Sequence, residues 1–214
     1  MDSRVLVVAR RERLPHIESR GGIVARNTGE HTVHLVSSAA TPLGGDTITV
    51  QVIVEPGAVL RLRSVAATIA LPGPAIRVSR SRLELDVDGE LDVDLEPMIV
   101  AGGAEHHAVV AVRIGSAGAL RLRERVQVGR SGERHGYWSS ATHADVECRP
   151  LLRHRVELGA GSVADDALAA PRAAVSELCF PTDPQHPGGD ATVLALAAGG
   201  VLRTWQGDAL PGQG

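Results

Sequence analysis

The stretch Leu83-Glu84-Leu85-Asp86-Val87-Asp88-Gly89-Glu90-Leu91-Asp92-Val93-Asp94-Leu95 decides the fold. Apolar and acidic residues alternate with the two-residue period of a half-buried β-strand, and Asp88-Gly89-Glu90 interrupts the alternation with a turn. A two-residue turn sets Val87 opposite Glu90 and mixes apolar and acidic side chains on one face. A three-residue turn sets Val87 opposite Leu91, Leu85 opposite Val93 and Leu83 opposite Leu95. The second register is expected, because pairing follows the face that is buried.

The same unit recurs on both sides. Upstream, Thr47–Val54 puts Ile48, Val50, Val52 and Val54 on one face. Glu55-Pro56-Gly57 then turns the chain, and Val59-Leu60-Arg61-Leu62-Arg63 returns. Downstream, Val109–Ile114 turns through Gly115-Ser116-Ala117-Gly118 into Leu120-Arg121-Leu122-Arg123. A repeat of about thirty residues points to stacked hairpins or coils rather than a simple sandwich. The outward faces carry opposite charge: Glu84, Asp86, Asp92, Asp94 and Glu96 in the middle copy, and Arg61, Arg63, Arg121 and Arg123 in its neighbours. Laid side by side, such strands pair carboxylates with guanidiniums at roughly 0.2–1 kcal/mol per pair. Left unpaired, the acidic stripe repels itself and attracts cations or a basic partner.

Arg4–Ala9 and Thr32–Ser37 are further strand candidates. After Gly159 the texture changes. Asp165–Ala170 and Ala173–Leu178 read as short helical turns around Pro171, and Pro181–Gly189 as a loop. Val193–Leu196 and Val201–Trp205 read as a closing hairpin about Gly199-Gly200, and Gly207–Gly214 as a frayed tail. The expected fold is therefore all-β, an elongated single domain of stacked β-hairpins or a β-helix with one or two short helices. Residues 1–158 form its core and 159–214 an extension of the same domain.

Composition agrees. The chain has 214 residues, 43% hydrophobic but only 2% aromatic, so Val, Leu, Ile and Ala must fill the core, and 24 Gly and 12 Pro supply tight turns. A net charge of −3 without interleaved aromatic and basic residues excludes a nucleic-acid binder. The apolar run Ala191–Leu202 is too short to span a bilayer. Arg10, Arg11 and Arg13 follow the first apolar run, the wrong order for a signal peptide, so a cytoplasmic location is expected. Cys148 and Cys179 read as two buried thiols rather than a disulfide or a zinc site.

Catalytic signatures are absent from the sequence. There is no Gly-x-Ser-x-Gly and no phosphate-cradling loop, and without a single lysine there is no Schiff-base chemistry. Carboxylates are plentiful enough for a glycoside hydrolase, but the aromatics that line a sugar cleft are not. Glu105-His106-His107 is the most metal-like cluster, yet adjacent strand residues face opposite ways and cannot both grip one ion. His135, beside Glu133, is a comparable candidate. Asp46 follows Gly44-Gly45, and Glu124, Arg130 and Glu133 cluster about the glycine turn of Gly129 and Gly132. Each reads either as a turn lock, with Asp46 capping amides and Arg130 pairing Glu133, or as a charged group lining a wet passage.

The ordered set Leu43-Gly44-Gly45-Asp46, Pro56-Gly57-Ala58, Ala66-Ala67-Thr68, Leu95-Glu96-Pro97, Glu124, Gly129-Arg130 and Gly132-Glu133 resembles the urease accessory protein UreD (UreH) family. The likeness runs from about Ser38 to Leu158. It implies a non-enzymatic, elongated β-scaffold that binds a helical partner, UreF, in a dimer of heterodimers. That assembly docks the GTP-hydrolysing nickel chaperone UreG and activates apo-urease. It further implies no permanent cofactor and transient Ni²⁺ in a water-filled tunnel, with Asp46, Glu96, Glu124, Arg130 and Glu133 as passage residues and Asp46, Glu133 and His135 as candidate ligands. Thr68 leads here into Ile69-Ala70-Leu71-Pro72 rather than the family's lysine or aromatic stretch, and the match weakens after Gly159. The residues alone also allow a free-standing β-solenoid without a metal role.

Overall fold

The computed structural model describes residues 1–133, 135–163, 170–182 and 191–211. Two facing sheets carry nearly all of them. The first runs β14 (Arg149–Gly159), β13 (Tyr137–Val146), β11 (Glu105–Ile114), β8 (Val78–Val87), β5 (Thr47–Val54), β1 (Asp2–Ala9) and β2 (His16–Arg20). The second runs β16 (Thr192–Ala195), β17 (Val201–Gly207), β15 (Ala173–Phe180), β12 (Ala119–Val128), β9 (Glu90–Asp94), β6 (Val59–Ser64), β4 (Thr32–Ser37) and β3 (Ile23–Gly29). Two short strands, β7 (Thr68–Ala70) and β10 (Met98–Val100), lie beside the second half of β12.

The centre of each sheet is parallel. β1, β5, β8, β11 and β13 stack in one sheet and β4, β6, β9 and β12 in the other, with antiparallel strands only toward the edges. The repeated unit is therefore a β-helix-like arch, one of the two arrangements expected from sequence, and not a hairpin. β8 and β9 never pair with each other; Leu85 and Val87 instead face Leu91 and Val93 across the core. The alternation reads the same for both, but an arch lets each strand bond its counterpart in the next copy. It also lets turn amides bond the neighbouring turn: Asp88 N to Val54 O (2.8 Å), Glu90 N to Ala58 O (2.9 Å), Gly115 N to Val87 O (2.9 Å) and Ala119 N to Gly89 O (2.8 Å). Each fully buried Val or Leu in this column contributes about 1.5–3 kcal/mol.

Stacking sets the charged rows against one another. Arg61, Asp92 and Arg121 share one register level and Arg63, Asp94 and Arg123 the next. Three of the four arginines named from sequence pair with the acidic strand, Arg63–Asp92 at 2.5 Å, Arg121–Asp92 at 3.2 Å and Arg123–Asp94 at 3.6 Å, and Arg125–Asp94 at 3.0 Å adds a pair outside that set. Glu177 of β15 extends the rows, taking Arg121 at 3.0 Å, Arg123 at 3.1 Å and Arg203 at 3.3 Å. Burial alone would raise its carboxyl, but these guanidiniums hold it below the ordinary range. The partly exposed pairs each contribute little. Glu177 is only 5% exposed, and removing it takes a carboxylate partner from each of three guanidiniums at once.

Several other expectations are revised. Ala173–Leu178 is strand β15, not helical, because both its neighbours, β12 and β17, bond it antiparallel and its alternate side chains Ala174 and Leu178 enter the core. The closing hairpin is present as β16 and β17. Gly207–Leu210 is anchored rather than frayed: the Gln127 amide donates to Asp208 O (3.2 Å), and Leu210 N donates to the Gln127 carbonyl oxygen (3.1 Å). Cys179 is buried, but Cys148 is exposed, because it forms with Glu147 the two-residue turn between β13 and β14. Most of Asp165–Ala170 and of Pro181–Gly189 lies outside the described residues.

Close stacking of the arches leaves no room at Gly89, where a Cβ would lie 2.3 Å from Ala58 O. Gly89→Ala is therefore expected to cost about 1–3 kcal/mol in urea denaturation. Gly29→Ala, which meets only Thr32 at 3.5 Å, stays within about 0.5 kcal/mol of the parent.

Candidate functional site

Whereas β12 runs unbroken from Ala119 to Val128, the strands stacked beside it do not. β6 ends at Ser64 before β7 begins at Thr68, and β9 ends at Asp94 before β10 begins at Met98. β12 consequently pairs with β9 through Arg123 and with β10 from Val126, leaving Glu124 and Arg125 without a ladder partner on that side. The segments that cross the gap, Val65–Ala67 and Leu95–Pro97, belong to the motifs Ala66-Ala67-Thr68 and Leu95-Glu96-Pro97. Polar bonds hold it open: Glu96 N donates to Ser64 Oγ (2.9 Å), and the Arg125 guanidinium donates to Leu95 O (2.8 Å).

Behind the gap lies a cavity of about 300 Å³ between the sheets, at the junction of two apolar clusters. Glu124 enters it from β12 and accepts a hydrogen bond from Ser140 Oγ at 2.9 Å. Desolvation lifts its carboxyl to about 7, against the weaker opposing pull of that hydrogen bond. Glu124 is half-buried, lining a cavity that admits water-sized groups. Opposite, His106 is fully buried, its Nδ1 bonded to Ser79 Oγ and its Nε2 to Ser81 Oγ, each at 2.9 Å. Burial, with the neighbouring His107 adding to it, pushes its imidazole down to about 4, so it is neutral at physiological pH.

A second cavity of about 20 Å³, room for about one water, shares Val110, Leu122 and Glu124 with the first. Its polar lining is Thr142, His154 and Ser176, and burial lowers the His154 imidazole. Glu124 thus stands in the wall common to both spaces. Sequence reading passed over His154, Ser140, Thr142 and Ser176. Their one signal is hydroxyl residues occupying inward positions of alternating strands, where the rule calls for apolar ones.

The residues singled out from sequence separate into two groups. Glu96, exposed, and Glu124 line the large cavity. Asp46, Arg130 and Glu133 do not. Asp46 is buried at the start of β5, its carboxylate accepting from Thr41 Oγ1 and Leu43 N at 2.9 Å each and facing the Met1 ammonium. Burial raises its carboxyl, but those donors together hold it below the usual value. The preceding turn is seated by Gly45 N to Val78 O (2.7 Å), and a Cβ on Gly44 would collide with Ile76 O at 1.7 Å. Glu133 accepts from both nitrogens of the Arg130 guanidinium edge (3.0 and 2.5 Å), from Gly102 N (2.7 Å) and from Arg130 N (3.0 Å). Those donors, led by the guanidinium, bring it down to about 2. Gly129 and Gly132 supply the positive φ of this turn, and exposed His135 contributes its carbonyl to Gly103 N. Among the described residues, no three His, Cys, Asp or Glu side chains converge to hold a metal.

Fold and site together define a β-arch solenoid with a cavity between its sheets lined by two carboxylates, Glu124 and the exposed Glu96. The family profile described as UreD urease accessory protein matches residues 9–203, and the chain belongs to that family. It is 37% identical over 192 residues to urease accessory protein UreD 1 of Saccharopolyspora erythraea, covering 86% of this chain and 75% of that one. Over 117 residues it is 46% identical to UreD of Frankia alni (54% and 39% covered), and over 225 residues 31% identical to UreD of a Parafrankia species (89% and 76%). No helix among the described residues is long and apolar enough to cross a membrane.

Glu124 has a signature in stability. A carboxyl raised in the folded state favours folding fully below its unfolded value, near 4.5, and loses that contribution as pH rises through about 7. Glu124→Gln is therefore expected to match the parent near pH 4 and to exceed it by about 3 kcal/mol at pH 8. Urea denaturation at both pH values checks the difference.

Proposed function

We propose that this chain is a non-enzymatic urease maturation scaffold, and that Ni²⁺ crosses it as cargo through the inter-sheet cavity, past Glu124, toward apo-urease. The partners it implies are a UreF-like helical protein, forming a dimer of heterodimers with this chain, and a UreG-like GTPase that delivers the metal, all in the cytoplasm. Glu124 carries the reading. A carboxylate in the wall between two cavities, with His154 lining the smaller one, supplies oxygen and nitrogen donors suited to nickel. One carboxylate without a convergent ligand set holds a cation weakly, as a conduit requires, because a tight site would stop transfer.

The test is maturation of urease in cells that express the structural and remaining accessory proteins. Glu124→Ala is expected to leave complex formation intact while the isolated urease holds less nickel and less activity. Asp46→Ala and Glu133→Ala act through their turns, so activation falls in step with the amount of folded protein recovered. Full nickel content and full activity with Glu124→Ala would rule out passage by this route.

A further inference from the structure

Adjacent histidines on β11 leave opposite faces of the sheet: His106 enters the cavity, and His107 lies on the outer face. There His107 Nε2 is 2.7 Å from Glu105 Oε1, the two side chains being two residues apart on one strand and about one-third exposed (32% and 39%). Its other nitrogen, Nδ1, is 2.8 Å from the hydroxyl of Ser139, a residue only 5% exposed that occupies the matching register position on β13. The Tyr137 ring flanks the imidazole at 5.7 Å between centroids.

We propose that Glu105 and His107 form a surface site for a borderline divalent transition cation such as Ni²⁺, Co²⁺ or Zn²⁺. The site is separate from the cavity and independent of the passage described above. Metal-binding imidazoles are held through their second nitrogen by a neighbouring polar group, and Ser139 is that group. With Glu105 as acceptor, neutral His107 carries its proton on Nε2 and accepts from the Ser139 hydroxyl. When a cation takes the Nε2 lone pair, the proton sits on Nδ1 and the same hydroxyl accepts it, so the ring keeps its anchor in both states. Glu105, released from its hydrogen bond, then supplies an oxygen to the same ion. An imidazole and one carboxylate, the rest of the shell being water, suit transition ions over Mg²⁺ or Ca²⁺. Arg80, the register neighbour of His107 on β8, limits affinity, so the site exchanges its ion.

An internal control exists. His16 Nε2 and Glu18 Oε1 on β2 have the same spacing at 3.1 Å, but both are more than half exposed, and His16 Nδ1 bonds nothing among the described residues. If chelate spacing alone sufficed, both pairs would bind equally. If anchoring matters, His107 binds first.

Substoichiometric Ni²⁺ added to ¹⁵N-labelled full-length protein provides the test through paramagnetic line broadening. Broadening is expected to centre on residues 105–107 and 137–139 before any at His16, and excess Mg²⁺ does not suppress it. His107→Ala abolishes it, Ser139→Ala weakens binding about 10–100-fold, and Glu124→Gln leaves it unchanged, which separates this site from the passage. Broadening centred on His16, spread evenly over the histidines, absent, relieved by Mg²⁺, or persisting in His107→Ala would overturn the proposal.

Discussion

Parallel register between successive arches is the constraint on which the molecule depends. Once Val50 stands beside Leu83, Val110 beside Leu83 and Leu60 beside Leu91, every inward row is apolar through the middle of the stack. In the second sheet the outward rows Arg61–Asp92–Arg121 and Arg63–Asp94–Arg123 then alternate guanidinium and carboxylate. A slip of one residue would turn Leu85 and Val87 to solvent and bring Glu84 and Asp86 into the core, so the register is held from both faces at once. Glu177 is the point where this lattice is buried most deeply and where its integrity costs most to lose.

The cavity follows from where that regularity stops. β6 and β9 end at Ser64 and Asp94, while β12 continues, so one strand crosses a gap its neighbours have left. Inward positions at that level carry Ser81, Ser140, His106 and Glu124 rather than aliphatic side chains. An ionisable group in such a place costs stability, and the raised Glu124 carboxyl records that cost. A sequence selected for packing alone would hold an aliphatic residue there. The functional reading begins from that mismatch.

Much of this was legible beforehand, and the reasons for the gaps are physical. Thr47–Val54 and Leu83–Leu95 announced their strands and buried faces, because alternation is a local property. Which strands bond was not legible: hairpin and arch bury the same residues, and only the fit of Gly89 against Ala58 and of Arg61 beside Asp92 distinguishes them. Ala173–Leu178 has the composition of a helix, yet open edges on β12 and β17 outweigh that preference. Glu124 and Glu96, singled out from motifs, line the larger cavity. Asp46, Arg130 and Glu133 shared the same prominence, but the structure assigns them to turns, since a carboxylate at a glycine turn looks alike in sequence whether it caps amides or meets solvent.

The central claim is that a wet space crosses the interior with Glu124 in its wall. A crystal structure at a resolution that defines ordered water tests it most directly. The account predicts waters bonded to the Glu124 carboxylate and continuing past Ser176 and His154 into the smaller cavity. An interior closed by repacked side chains, with Glu124 sealed off from any solvent, would contradict it.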